Sequence, residues 1–260
     1  MAEWYTLDQP QFFRANYNFM AALQQSKQRS IYVQNAWRIR FFFVSLILTV
    51  VHAAAFPAIA ANPPAAPATV MVYGDSLSAA YGIKPEQGWV ALMEKRLAFV
   101  GIRVINASIS GETSAGGLGR IKTDLARHRP DTVILALGAN DGLRGLPVAN
   151  LRRNLEAMIG EIQRAGGKVI LVGIQIPPNY GIQYTTDFKN VYRSLASERR
   201  LTLVPFLLDG IAEDMENFQT DRLHPGANAQ ARILQNVLPV VQRTVRQHHQ
   251  HATPKTAAKP

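Results

Sequence analysis

A serine, an asparagine and an aspartate–histidine pair, far apart along the chain, have the types that nucleophilic acyl chemistry needs. Ser76 lies in Gly74-Asp75-Ser76-Leu77-Ser78, directly after an apolar run, so its hydroxyl falls on a turn that a glycine permits. A serine hydroxyl is a weak nucleophile at neutral pH. It needs an imidazole to take its proton and a carboxylate to orient that imidazole. Asp221 and His224, in Thr220-Asp221-Arg222-Leu223-His224-Pro225-Gly226, supply both. Of the other histidines, His52 lies in an apolar amino-terminal run and His128 near a helix end. His248, His249 and His251 fall in a basic tail suited at most to incidental metal contact. Two further stretches offer donors to a developing oxyanion: the N–H of Gly111 in a small-residue loop from Asn106 to Ser114, and the side-chain amide of Asn140 in Gly138-Ala139-Asn140-Asp141-Gly142.

Each stretch has a plainer reading when taken alone. Asp-Ser after a strand serves as a helix cap, Asn-Asp-Gly is turn chemistry, and an aspartate three residues before a histidine is common on loop surfaces. Two rival motifs fail in detail. Ser78 stands where the G-x-S-x-G elbow needs its second glycine, and Gly116 leads into Gly117-Leu118 where a phosphate loop needs Lys-Ser/Thr.

The elements that must position these residues follow from hydrophobic periodicity. Val70–Tyr73, Val104–Ala107, Val133–Leu137, Val169–Ile174 and Leu201–Val204 are short apolar runs that predict five buried strands. Helical patterns separate them. In one, Leu151, Leu155, Met158, Ile159 and Ile162 share a face, and Gly166-Gly167 ends it. Strands alternating with helices imply right-handed crossovers and a parallel sheet covered on both faces, an α/β fold built as a three-layer α/β/α sandwich. Sites in such sheets form at the carboxyl ends of the strands, where the polar stretches fall.

The chain's 260 residues, 47% apolar and 18% charged, suffice for one full-sized domain. The formal charge of +10 raises the question of a nucleic-acid partner, but residues 61–240 carry only +3 of it and show no basic stripe with interleaved aromatics, so none is expected. The absence of cysteine excludes disulfides and thiolate chemistry. Arg38 and Arg40 precede an apolar run from Phe41 to Val51, and Ala58-Ile59-Ala60 follows, which is the order of a secretory signal over residues 38–60. An uncleaved inner-membrane anchor is the alternative, since Phe41 to Ala61 matches a span of about 20 residues. Residues 1–37 read as a non-native or disordered extension, 61–68 as a linker, 69–246 as the domain, and 247–260 as a disordered basic tail.

Together the polar blocks resemble the SGNH (GDSL) hydrolase family, in its bacterial periplasmic branch of multifunctional thioesterases, arylesterases and lysophospholipases. The resemblance covers about residues 69–240 and rests on Gly74 to Ser78, Ser110-Gly111-Glu112-Thr113-Ser114, Gly138 to Gly145 and Asp221-Arg222-Leu223-His224-Pro225. It implies a flavodoxin-like five-stranded sheet and makes Ser76 the nucleophile, His224 the base and Asp221 its orienter. The N–H groups of Ser76 and Gly111 and the side chain of Asn140 would form the oxyanion hole. Asp75, Leu77, Asp141, Pro178, Asn179 and Tyr180 would contact substrate, the last three in the loop that lines the acyl cleft. Ala139 and Arg222 stand where relatives often have glycine. The resemblance further implies a periplasmic or secreted monomer that needs no cofactor or metal, acts on small acyl esters or thioesters, and touches membrane lipid transiently. A carbohydrate O-acetylesterase and an inactive membrane-tethered binding protein are the alternative functions.

Overall fold

The computed structural model describes residues 67–252, with side chains through Arg246. The expected extension, signal segment and most of the linker lie outside the described residues. Five strands, β1 (Thr69–Gly74), β2 (Arg103–Asn106), β3 (Thr132–Ala136), β4 (Lys168–Val172) and β5 (Thr202–Val204), form one parallel sheet in the order β2-β1-β3-β4-β5. The central strands β1 and β3 are buried at every residue, as a sheet covered on both faces requires of unbroken apolar runs. The strand order reverses between β1 and β3, which opens a crevice at their carboxyl ends.

The main helices are α1 (Trp89–Ala98), α2 (Ser114–His128), a short α3 (Ala139–Leu143), α4 (Val148–Arg164), α5 (Ile182–Glu198) and α6 (Gln230–Ala252). On one face α4 packs between α2 and α5, and α1 packs against α6 on the other. Helix α4 buries Leu151, Leu155, Met158, Ile159 and Ile162, the face read from the sequence, and Gly166 (φ +84°) turns the chain toward β4.

The plainer reading of Asn-Asp-Gly as a turn does not hold: the three residues lie within α3, because the preceding Gly138 absorbs the reversal at φ +125°. A Cβ on Gly138 would meet the Tyr192 hydroxyl at 2.1 Å. Helix α6 continues to Ala252, past the expected start of the tail, since Arg243, Arg246 and the glutamines favour helix. Among the described residues no helix is long and apolar enough to cross a membrane.

Candidate active site

Ser76 sits on the turn that leaves β1, and His224 on the loop before α6. The imidazole Nε2 lies 2.9 Å from the Ser76 Oγ, and Nδ1 lies 2.7 Å from Asp221 Oδ2. With Nδ1 protonated toward the carboxylate, Nε2 is left to accept from the serine hydroxyl. Asp221 Oδ1 also accepts the N–H groups of Leu223 (2.9 Å) and His224 (3.0 Å). These backbone bonds, chiefly that of His224, hold the Asp221 carboxyl down at about 2, so it stays ionised across the working range. The tight loop places Arg222 in the left-handed region (φ +60°), which explains why glycine is at home there.

Two of the three expected oxyanion donors, Gly111 and Asn140, come from a loop and the adjacent helix α3, which are bonded to each other. The Asn140 amide donates to the Glu112 carbonyl at 3.0 Å, which fixes the side chain and leaves its second N–H available. Gly111 adopts φ +80°, and its carbonyl accepts from the Arg144 guanidinium at 3.1 Å. Among the described residues neither the Ser76 N–H nor the Gly111 N–H donates to a backbone acceptor, so both remain free for a ligand. The Glu112 side chain is tied to Arg120 at 2.5 Å; Arg120 reaches Asp124 at 2.6 Å and stacks over Tyr73.

Asp75 and Asp141, expected to contact substrate, are 0% and 2% exposed and face inward. Asp75 Oδ1 accepts the Leu77 N–H at 3.0 Å, and burial pushes its carboxyl up to about 7. Asp141 accepts the Ser114 N–H at 2.7 Å and the Ser114 hydroxyl at 2.5 Å, while Asn154 donates to that hydroxyl. Both carboxylates hold loops in place and have no exposed oxygen to offer a substrate. Membership in a motif does not reveal which way a side chain turns once the strand's alternation has ended.

The remaining expected residues divide. Leu77 is half-buried against the core, with its carbonyl accepting from the Trp89 indole at 3.0 Å. Tyr180 donates to the Leu143 carbonyl at 2.8 Å and so joins the end of α3, the helix that carries Asn140. Pro178 and Asn179 are exposed in a single 3₁₀ turn.

Sequence reasoning missed two residues that shape the site. The Tyr81 ring lies 4.3 Å from the His224 ring, centroid to centroid. Gln219 bonds the Tyr81 carbonyl (2.8 Å) and the Pro225 carbonyl (3.1 Å) through its side chain, and its N–H donates to the His224 carbonyl at 2.8 Å. It thereby clamps the histidine loop to the serine loop. Neither residue belongs to a periodic pattern, so the sequence carried no signal for them. Among the described residues no group of three or more histidine and carboxylate side chains is placed to hold a metal.

The same arrangement has counterparts elsewhere. The GDSL-like lipase/acylhydrolase family model matches residues 72–232. The chain is 49% identical over 179 residues to esterase TesA of Pseudomonas aeruginosa, covering 68% of this chain and 89% of that one. It is 34% identical over 194 residues to thioesterase 1/protease 1/lysophospholipase L1 of Escherichia coli K12, covering 75% and 86%. Among solved structures it is similar to the psychrotrophic esterase EstA from Pseudoalteromonas sp. inhibited by monoethylphosphonate. There the identity is 38% and the TM-score 0.66, covering 68% of this chain and 98% of that one. The chain therefore belongs to the GDSL-like lipase/acylhydrolase family and is one of its serine esterases, an enzyme that hydrolyses ester bonds.

Proposed function

We propose that the chain hydrolyses small acyl esters and thioesters through an acyl-enzyme on Ser76. The observation that carries this reading is the unbroken succession of Asp221, His224 and Ser76 at 2.7 and 2.9 Å. His224 Nε2 takes the hydroxyl proton as Ser76 Oγ bonds to the carbonyl carbon, giving a tetrahedral oxyanion. The N–H groups of Ser76 and Gly111 and the Asn140 amide receive that oxyanion. The imidazolium then protonates the departing alcohol or thiol, leaving the acyl group on Ser76. Water, deprotonated by the same nitrogen, attacks the acyl-enzyme, and its proton returns to Ser76 when the acid leaves. Asp221 stays ionised throughout and stabilises the imidazolium. Ring contact with Tyr81 covers one face of the imidazole.

The substrate class draws support from relatives named esterase, thioesterase and lysophospholipase. An inhibiting phosphonate on the Pseudoalteromonas esterase fits the same reading, since a tetrahedral phosphorus resembles the intermediate. The segment 38–60, in signal-peptide order, supports export to the periplasm, with residues 69–246 working there as a monomer that meets membrane lipid transiently.

A Ser76→Ala variant tested on a short p-nitrophenyl ester decides the mechanism. A loss on the order of 10³-fold or more in kcat is expected, and parental activity would overturn it. A panel of acyl esters, an acyl thioester, lysophospholipid and acetylated sugars then fixes the substrate class. Preference for acetylated sugars would replace the acyl reading.

A further inference from the structure

We infer that the amino-terminal end of the sheet, opposite the triad, is the face that docks on an anionic lipid surface. This deepens the lipid contact proposed above by naming its surface, and it does not depend on the catalytic reading. Because all strands are parallel, the long covering helices end on the side where the strands begin. Lys95 and Arg96 lie in the last turn of α1, Arg129 caps α2 and Arg164 ends α4. Arg103 opens β2 and Lys168 opens β4. The acids near this edge are Asp131 and Glu161, and Glu161 already pairs with Lys122 and Arg164. Helix dipoles account for a cation at a helix end. They do not account for the cations at two strand starts.

The apolar component is as telling. Phe99 and Val100, at the tip joining α1 to β2, are 90% and 65% exposed. A bare phenylalanine flanked by Arg96 and Arg103 fits an interface where acyl chains meet anionic headgroups, and has no use against nucleic acid, which would want stacked aromatics along a basic groove. A cleft of about 580 Å³ between α2 and α4, lined by Lys122, Arg129 and Arg164 and also by Asp131 and Glu161, lies at this edge and has room for a headgroup phosphate beside Arg129. Docked this way, the enzyme holds its triad about 20 Å from the lipid, the length of a six-residue strand, and open to soluble substrate.

The test uses residues 67–260, since solved relatives of this fold comprise little beyond this part of the chain. Vesicles of phosphatidylcholine with and without phosphatidylglycerol are sedimented with the parent, with R103E/R129E/R164E, with Phe99→Ser and with Ser76→Ala. The basic residues beyond Gln247 stay intact in all. Binding is expected only with phosphatidylglycerol, weakening as salt rises. The triple reversal should lose more than about 100-fold, at roughly five-fold per charge, and Phe99→Ser several-fold. Both should keep full activity on a soluble ester, and Ser76→Ala should bind like the parent. Equal binding to pure phosphatidylcholine, undiminished binding by the triple reversal, or tighter binding to duplex DNA than to vesicles would each overturn the proposal. An inactive parent that still binds anionic vesicles through these residues would sink the esterase mechanism and leave the docking face standing.

Discussion

At the carboxyl ends of the strands the polar side chains are bonded to one another and to the backbone; at the amino ends they are long and cationic, and among the described residues Lys122 and Arg164 pair with Glu161 while Arg96, Arg103 and Arg129 form no ion pair. One topology produces both. Parallel strands with antiparallel covering helices send every connecting loop that leaves a strand to one edge and every helix terminus to the other. Ser76, Gly111, Asn140 and His224 are thereby gathered from three loops and the short helix α3, and Arg96, Arg103, Arg129 and Arg164 from four other places in the chain. The difference lies in what holds each set. The first is fixed by a lattice of hydrogen bonds through Glu112, Arg144, Gln219 and Asp75. The second is aligned only by the ends of the elements. Preorganisation belongs to the first, long-range attraction to the second.

The sharpest way to separate the ends is to break one residue at each. His224→Ala should lower kcat on the order of 10³-fold or more, whereas Arg129→Glu should leave it unchanged; a large loss in the second would mean the ends are coupled. Next in size, Asn140→Ala should cost about 10²–10³ in kcat with little change in KM, as removal of one oxyanion donor does. A KM effect alone would reassign Asn140 to ground-state binding. Arg144→Gln, which loosens the Gly111 peptide without removing a donor, should cost about tenfold in kcat, with partial recovery in Arg144→Lys.

The smallest expected effect on turnover is at Asp75, whose signature is in stability. Its carboxyl rises from the ordinary range to about 7 in the fold because burial disfavours the charge. Between about pH 4 and 7 the native state therefore keeps a proton that the unfolded chain has lost, and stability falls as pH rises through that window. Asp75→Asn should flatten the fall, measured by urea denaturation at several pH values; an unchanged slope would assign the proton elsewhere.

What the sequence could and could not reveal divides along the same line. The buried runs of β1 and β3 and the apolar face of α4 were legible because burial on both faces, or on one stripe, leaves a period. Ser76, Asn140, Asp221 and His224 each have a plainer reading alone and were legible only as a set, through the order and spacing of the blocks that carry them. Tyr81 and Gln219 were not, since their work is set by a loop-to-loop contact across the long stretch between them. Asp75 and Asp141 were misplaced because nothing local says whether a carboxylate after a strand turns in or out. The cationic edge was invisible in a chain with no basic stripe, because only the fold brings one or two residues from each helix end together.

Catalysis by Ser76 requires that the imidazole beside it activate the hydroxyl. Treating the purified protein with a fluorophosphonate and locating the adduct by peptide mass spectrometry tests this directly. A single adduct on Ser76, abolished in His224→Ala, is the predicted result; labelling elsewhere, or equal labelling without His224, would contradict it.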